Sequence, residues 1–250
     1  MRRWLPLVVV AAGVASSSPA RAQAILHDQR TGDIRSPQSW AVELRFGPYS
    51  PDIDAEFKGA ASPHRAYFGT KKRLMFQIEG EYQFFHRFGS LAVGVSAGYF
   101  HESGRSFLDA DPTTLSDDVT ALSLFPTTAK LIYRFDVVQR RYGIPLVPFG
   151  KVGLSYTLWS ISNGNGKTAT SDKPEGKGRG GTPGWLAGVG LAFNLGVLDP
   201  SAARSLDNES GVNDTYLFIE YDHLDSSGLG RKNTLNVGDD TWVGGLLFEF

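Results

Sequence analysis

Glu43 and Arg45 stand two residues apart, as do Glu79 and Glu81, and Glu220 and Asp222. Lys130, Arg134, Lys151 and Glu249 recur in the same kind of setting, a charged position inside an otherwise apolar stretch. Successive side chains of an extended chain point to opposite sides, so this spacing gathers the charges on one face. Both signs are represented, and ten such groups enclosed together would neutralise one another as ion pairs.

Other chemistry is less well supported. Asn163-Gly-Asn-Gly-Lys-Thr168 suggests a phosphate loop, but the glycine required five residues before Gly166 is replaced by Ile161. Asp109, Asp111, Asp117 and Asp118 lack the spacing of a calcium loop and read as a solvated acidic segment. The histidines His27, His64, His86, His101 and His223 show no metal-ligand spacing, so no metal site is expected. His101 and His223 fall near one end of their segments, with Ser103, Asp222 and Ser226 in reach, yet no nucleophile motif accompanies them. No catalytic residue is assigned, and neither an enzymatic activity nor a cofactor is expected.

The elements that carry the charges have a period of two. In 39–47, Trp40, Val42, Leu44 and Phe46 oppose Glu43 and Arg45. In 74–84, Leu74, Phe76, Ile78, Tyr82 and Phe84 oppose Gln77, Glu79, Glu81 and Gln83. Segments 91–100, 119–135, 148–161, 185–195, 215–223 and the C-terminal TWVGGLLFEF repeat the pattern, giving eight strands. Pro126 suggests a bulge in the fourth. Residues 180–198 carry no charge and could form a spanning helix, but bulky residues hold every odd position from 185 to 195, which favours a strand.

The connections alternate. Long polar stretches at about 48–72, 102–118, 162–184 and 224–240 face connections at 85–90, 136–144 and 196–214. The stretch 162–182 is basic through Lys167, Lys173, Lys177 and Arg179. The connection 196–214 has room for one helical turn, with Asp199 as N-cap and Pro200 behind it. This is an up-and-down meander with unlike ends.

Residues 1–22 have the form of an export signal: Arg2-Arg3, the apolar run Trp4–Val14, and Ala20-Arg21-Ala22 as cleavage site. Their removal takes away three arginines and leaves 22 basic and 26 acidic residues, a net charge of −4. That balance gives no electrostatic basis for binding nucleic acid. The chain has no Cys, so no disulfide can staple it. A mean hydropathy of −0.19 is too low for a bundle of spanning helices.

Two architectures bury such faces. A soluble barrel or sandwich turns the bulky face inward; a membrane barrel turns it to lipid and keeps its charges inside. Segments of about 9–12 residues match the length a tilted strand needs to cross a bilayer. Trp40, Tyr49, Phe84, Tyr99, Phe135, Trp159, Trp185, Trp242 and Phe250 sit near strand ends and are expected to form interfacial girdles. An edge strand cannot remain unpaired in hydrocarbon, so the first and last strands must join.

The signal, the eight strands and the ending Trp242-x-Gly-x-Leu246-x-Phe248-x-Phe250 resemble Gram-negative outer-membrane β-barrels. The stretches 36–54, 133–154 and 215–222 are similar to an uncharacterised myxobacterial barrel family. The resemblance implies that Trp242, Leu246, Phe248 and Phe250 form the signal read by the barrel-assembly machinery. The expected organisation is a signal peptide (1–22), a periplasmic segment (23–38) and an all-β transmembrane barrel of eight antiparallel strands (39–250). The expected role is structural or one of surface interaction, with lipid and lipopolysaccharide as partners and a lumen plugged by charge. A narrow channel is the alternative, a lipid-acting rim enzyme a more distant one, and a soluble β-barrel carrier the competing fold.

Overall fold

Alternation of bulky and small residues is satisfied by extended chain. The computed structural model describes residues 39–250, apart from 109–110, 164, 173–174 and 232–233, and folds most of them into strands. The expected signal peptide and periplasmic segment lie outside the described residues, as do His27, Asp109 and Lys173. The side chains of 106–118 and 171–176 also lie outside the description.

The strands are β1 (Trp40–Tyr49), β2 (Arg73–Phe85), β3 (Ser90–Leu108), β4 (Asp111–Arg134), β5 (Leu146–Ser162), β6 (Thr170–Asp172), β7 (Glu175–Lys177), β8 (Arg179–Asn194), β9 (Asp214–Asp225) and β10 (Asp239–Glu249). Eight close into a barrel in the order β1-β10-β9-β8-β5-β4-β3-β2, and β6 and β7 form a separate small ladder. All barrel pairings are antiparallel. The seam runs from Ala41↔Glu249 to Phe46↔Gly244. Below it, Phe250 N–H donates to Trp40 O at 2.8 Å and Ser39 N–H to Phe250 O at 3.0 Å.

The barrel is turned inside out relative to a soluble one. Leu74, Phe76, Ile78, Val95, Leu131, Val152, Leu154, Val189, Leu217 and Ile219 are exposed on its outer wall, while Glu43, Arg45, Glu79 and Lys151 are at most 1% exposed within. In water such an apolar belt would be unstable, whereas in lipid it is the surface the bilayer requires. This is the arrangement of an outer-membrane-type barrel, crossing with strands. Residues 180–198, which admitted a helix, are largely β8, and among the described residues no helix is long and apolar enough to cross a membrane.

Several elements differ from the sequence expectation. The polar stretch 102–118 is not a loop: β3 and β4 stay paired out to Leu108↔Asp111, with register shifts between Arg105 and Leu108. Ladder hydrogen bonds continue as well in water as in lipid, so polarity marks where the apolar belt ends, not where the strands end. Pro126 makes no bulge. Ala97↔Thr127 and Phe100↔Leu124 keep one register across it, and Pro126 itself pairs with Thr157. The facing residue is Gly98, where a Cβ would lie 3.1 Å from the proline ring, so its absence gives the ring room.

Tyr49 and Trp159 are not girdle residues. Tyr49 is buried and Trp159 packs on an interior cluster, because each shares the parity of the inward charges on its strand. Four helical elements among the described residues were not separately foreseen: 3-10 turns at Ile53–Phe57 and Leu195–Val197, α1 (Pro63–Phe68) and α2 (Val137–Tyr142), each too short to show periodicity. The expected single turn after Asp199 is α3 (Pro200–Ser210), eleven residues long. Asp199 does cap it, accepting from the N–H of Ser201 and Ala202.

Candidate functional site

All ten charged residues are brought to the barrel interior by strand parity: Glu43 and Arg45 on β1, Glu79 and Glu81 on β2, Lys130 and Arg134 on β4, Lys151 on β5, Glu220 and Asp222 on β9, and Glu249 on β10. Nine are buried, and Asp222 keeps 16% of its side chain accessible.

Two cations hold the centre. Arg45 donates to Glu43 Oε2 at 2.8 Å, Glu220 Oε2 at 2.7 Å and Asp222 Oδ2 at 2.8 Å. Lys151 Nζ lies 2.6 Å from Glu43 Oε2 and 3.0 Å from Glu79 Oε1, with Glu81 at 3.8 Å and Glu220 at 3.7 Å. Lys130 pairs with Glu79. Arg134 reaches Glu43 at 3.0 Å and Glu81 at 2.6 Å, and Gln83 donates to Glu249 at 2.8 Å.

Burying an isolated ion costs several kcal/mol, so only a network in which each charge meets several partners is tolerable. Aromatic faces add to it. Arg45 stands 5.5 Å from the Phe218 ring centre and Lys151 stands 5.4 Å from that of Phe149, both within cation–π range.

Glu43, Glu79 and Glu81 present oxygens within 4.8 Å of one another, a spacing that suits a metal ion. The Lys151 ammonium already contacts all three, so the chain supplies this cluster's cation itself.

Apolar side chains complete the filling. Ala41, Val147, Phe149, Ala192, Tyr216, Phe218, Val243 and Leu247 form one buried cluster against the β5, β8, β9 and β10 wall. Tyr49, Ile53, Met75, Phe100, Leu122, Leu124 and Val237 form another toward the opposite end. Ile53 and Val237 come from connecting segments, so folded loops close that mouth. Between them the interior keeps a cavity of about 30 Å³, lined by Asp222, Lys130, Gln77 and Ser155 among others. That is room for roughly one or two waters.

The loop-bearing mouth holds a larger cavity of about 560 Å³, walled by 50–72 and 223–240. Its walls are cross-tied by Lys72 to Asp239 at 2.8 Å and by Asp52 N–H to Gly238 O at 2.9 Å. His64 Nε2 meets Glu102 at 2.5 Å, and His223 Nδ1 meets Asp240 at 2.5 Å. His64 and Lys72 tie the 50–72 connection to β3 and β10, and His223 and Asp240 are cross-strand partners on β9 and β10; no local spacing in the sequence announced them.

The expected neighbours of the rim histidines differ. His101 Nδ1 lies 3.0 Å from Ser123 Oγ, not Ser103, and His223 bonds Asp240 rather than a serine. The His101–Ser123 pair is exposed, and among the described residues no carboxylate is bonded to the other ring nitrogen. Of the residues expected to form the assembly signal, Trp242, Leu246 and Phe248 share the outer face of β10, alternating with buried Val243, Leu247 and Glu249, and Phe250 follows the strand.

No protein-family model matches the chain, and no curated protein does. Among solved structures it is similar to Neisserial surface protein A, at 14% identity over 86% of this chain and 98% of that one, with a TM-score of 0.46. It is similar to OprG of Pseudomonas aeruginosa at 14% identity, 86% and 97% coverage and a TM-score of 0.43. The N-terminal barrel domain of OprF from the same organism gives 16% identity, 85% and 98% coverage and a TM-score of 0.41.

Proposed function

We propose that this chain is an exported, integral outer-membrane barrel with a structural or surface-interaction role, whose lumen is shut by its own ionic side chains. The observation that carries the reading is the Lys151–Glu43 pair at 2.6 Å, which ties β5 to β1. In the strand order these two stand opposite each other, four steps apart either way, so the pair crosses the bore. The apolar clusters close what the ions leave open.

On this reading the mouth formed by 50–72, the β3–β4 tip, 163–178 and 226–238 faces outward, toward lipopolysaccharide and external partners. The β1 and β10 ends, with α2 and α3, face the periplasm. Insertion uses the assembly machinery through Trp242, Leu246, Phe248 and Phe250. Neither cofactor nor catalysis is part of the reading; among the described residues no third group is bonded to the His101–Ser123 pair to orient and activate it.

Single-channel recording in planar bilayers tests the reading. The expected result is a flat baseline after insertion. Discrete conductance steps would replace it with a narrow channel for small solutes or ions. Altered lipid A in cells producing the protein would instead reveal a rim enzyme.

A further inference from the structure

Glu220 and Asp222 lie two apart on β9 and face the lumen together. Arg45 takes one oxygen of each, Glu220 Oε2 at 2.7 Å and Asp222 Oδ2 at 2.8 Å. The other two oxygens, Glu220 Oε1 and Asp222 Oδ1, are buried and have no hydrogen-bond partner. Both converge on one place: a Cβ built on Gly188 would lie 2.4 Å from each. A hydrogen bond between the two oxygens would satisfy both. Two bare carboxylate oxygens cannot make one, since an ionised carboxylate only accepts.

The surroundings do not supply the missing donor. Arg45 from β1 is committed to the outer pair of oxygens, and Lys151 from β5 faces Glu220 Oε2 at 3.7 Å while bonding Glu43 and Glu79. Lys130 from β4 is paired with Glu79 from β2. From β8 the pair meets Gly188, and β10 contributes Asp239 to the lining of the small cavity and Asp240 as the partner of His223. The ten network residues comprise six acids and four bases, so the interior is short of positive charge. The 30 Å³ cavity touches Asp222 but neither Glu220 nor Gly188.

We infer that Glu220 and Asp222 share one proton between Glu220 Oε1 and Asp222 Oδ1, forming a proton-binding site inside the lumen that exchanges with the outer mouth. The proton comes from solvent and is returned to it, with no other bond made or broken. Asp222 lines the small cavity, and Leu224 and Asp239 line both that cavity and the 560 Å³ cavity at the mouth, which is the side from which a proton would come. Glycine at 188 is what lets the two oxygens meet. The inference depends on the observed side-chain geometry, not on whether the barrel conducts, so a conductance result leaves it standing.

The test is infrared spectroscopy of the whole protein in detergent micelles in D2O at neutral pH. A protonated-carboxyl C=O band is expected in the wild type. It should be lost or reduced in Glu220→Gln, where the amide donates in place of the proton, and in Asp222→Asn, with heat-modifiable gel mobility retained in both. Absence of the band from the wild type, or an unchanged band in either folded variant, overturns the inference. If neither variant folds, the wild type decides: its band must shift on carbon-13 labelling of aspartate, since Asp222 is the one aspartate among the ten network residues, and no band, or a band that shifts with glutamate labelling alone, overturns the site. A melting temperature raised by sodium chloride over choline chloride at equal ionic strength, and not in the variants, would assign the place to a metal cation instead.

Discussion

Lys151 Nζ and Glu43 Oε2 meet at 2.6 Å across the full width of the barrel. The ammonium also serves Glu79 at 3.0 Å, so one side chain from β5 compensates carboxylates on β1 and β2 at once. Removing it takes a partner from both acids and deepens the excess of negative charge, leaving Glu43 to Arg45 and Arg134 and Glu79 to Lys130. Lys151→Met should therefore cost about 3–5 kcal/mol, the usual penalty for breaking a buried ion pair on one side only. Adding Glu43→Gln to that variant should return part of the loss, because it removes one of the excess negative charges. Urea unfolding in lipid vesicles, run as a double-mutant cycle, measures both; additive losses would show that the two residues are not coupled.

The orientation of β10 gives a second prediction. Leu246 lies on the outer face beside Leu44 and Leu217, while its neighbour Leu247 is buried in the lumen. Leu246→Arg places a charge in lipid and should cost about 2–4 kcal/mol if the site lies near the bilayer midplane. The same unfolding assay reads it. A loss well under about 1 kcal/mol would mean that this position lies at the interface or faces polar surroundings.

The contrast between these two residues shows what the sequence made legible. Parity alone separated Leu246 from Leu247 and collected ten scattered charges into one enclosure, because a closed sheet offers each side chain only two directions. Parity also held where location near a strand end misled: Tyr49 and Trp159 follow their strands inward rather than joining a girdle. Register across neighbouring strands was not legible. It decides that Arg45 reaches Glu220 and Asp222 rather than Glu81, and it depends on closure of the whole barrel. Nor could spacing foretell His64 beside Glu102 or Lys72 beside Asp239, contacts 38 and 167 residues apart made by loops folding over a mouth.

At the seam, the C-terminal residue is bonded as well as apolar. Phe250 donates its N–H to Trp40 O and accepts from Ser39 N–H. Its deletion removes those bonds together with the last apolar residue of the proposed assembly signal. The expected outcome is a lower yield of heat-modifiable protein in the outer membrane, with unfolded chain accumulating in the periplasm. Phe250→Leu, which keeps the backbone bonds and an apolar side chain, should fall between deletion and wild type. Fractionation followed by unheated gel electrophoresis measures both.

The helix α3 should respond to acid on its own. Asp199 accepts from the N–H of Ser201 and Ala202 and from Ser201 Oγ, and these bonds hold its carboxyl below the usual aspartate value of 3.8. The sign follows from linkage: a group with a depressed value in the folded state stabilises above its unfolded value, and that contribution is lost as pH falls through the folded one. Amide exchange at Ser201 and Ala202 should thus be slow at neutral pH and accelerate below about pH 4, while amides of β9 and β10 stay protected. Asp199→Asn keeps an N-cap acceptor without the charge, so its exchange should be nearly independent of pH-linked titration after correction for intrinsic rates. Acid loosening of α3 that persists unchanged in Asp199→Asn would place the titrating group elsewhere.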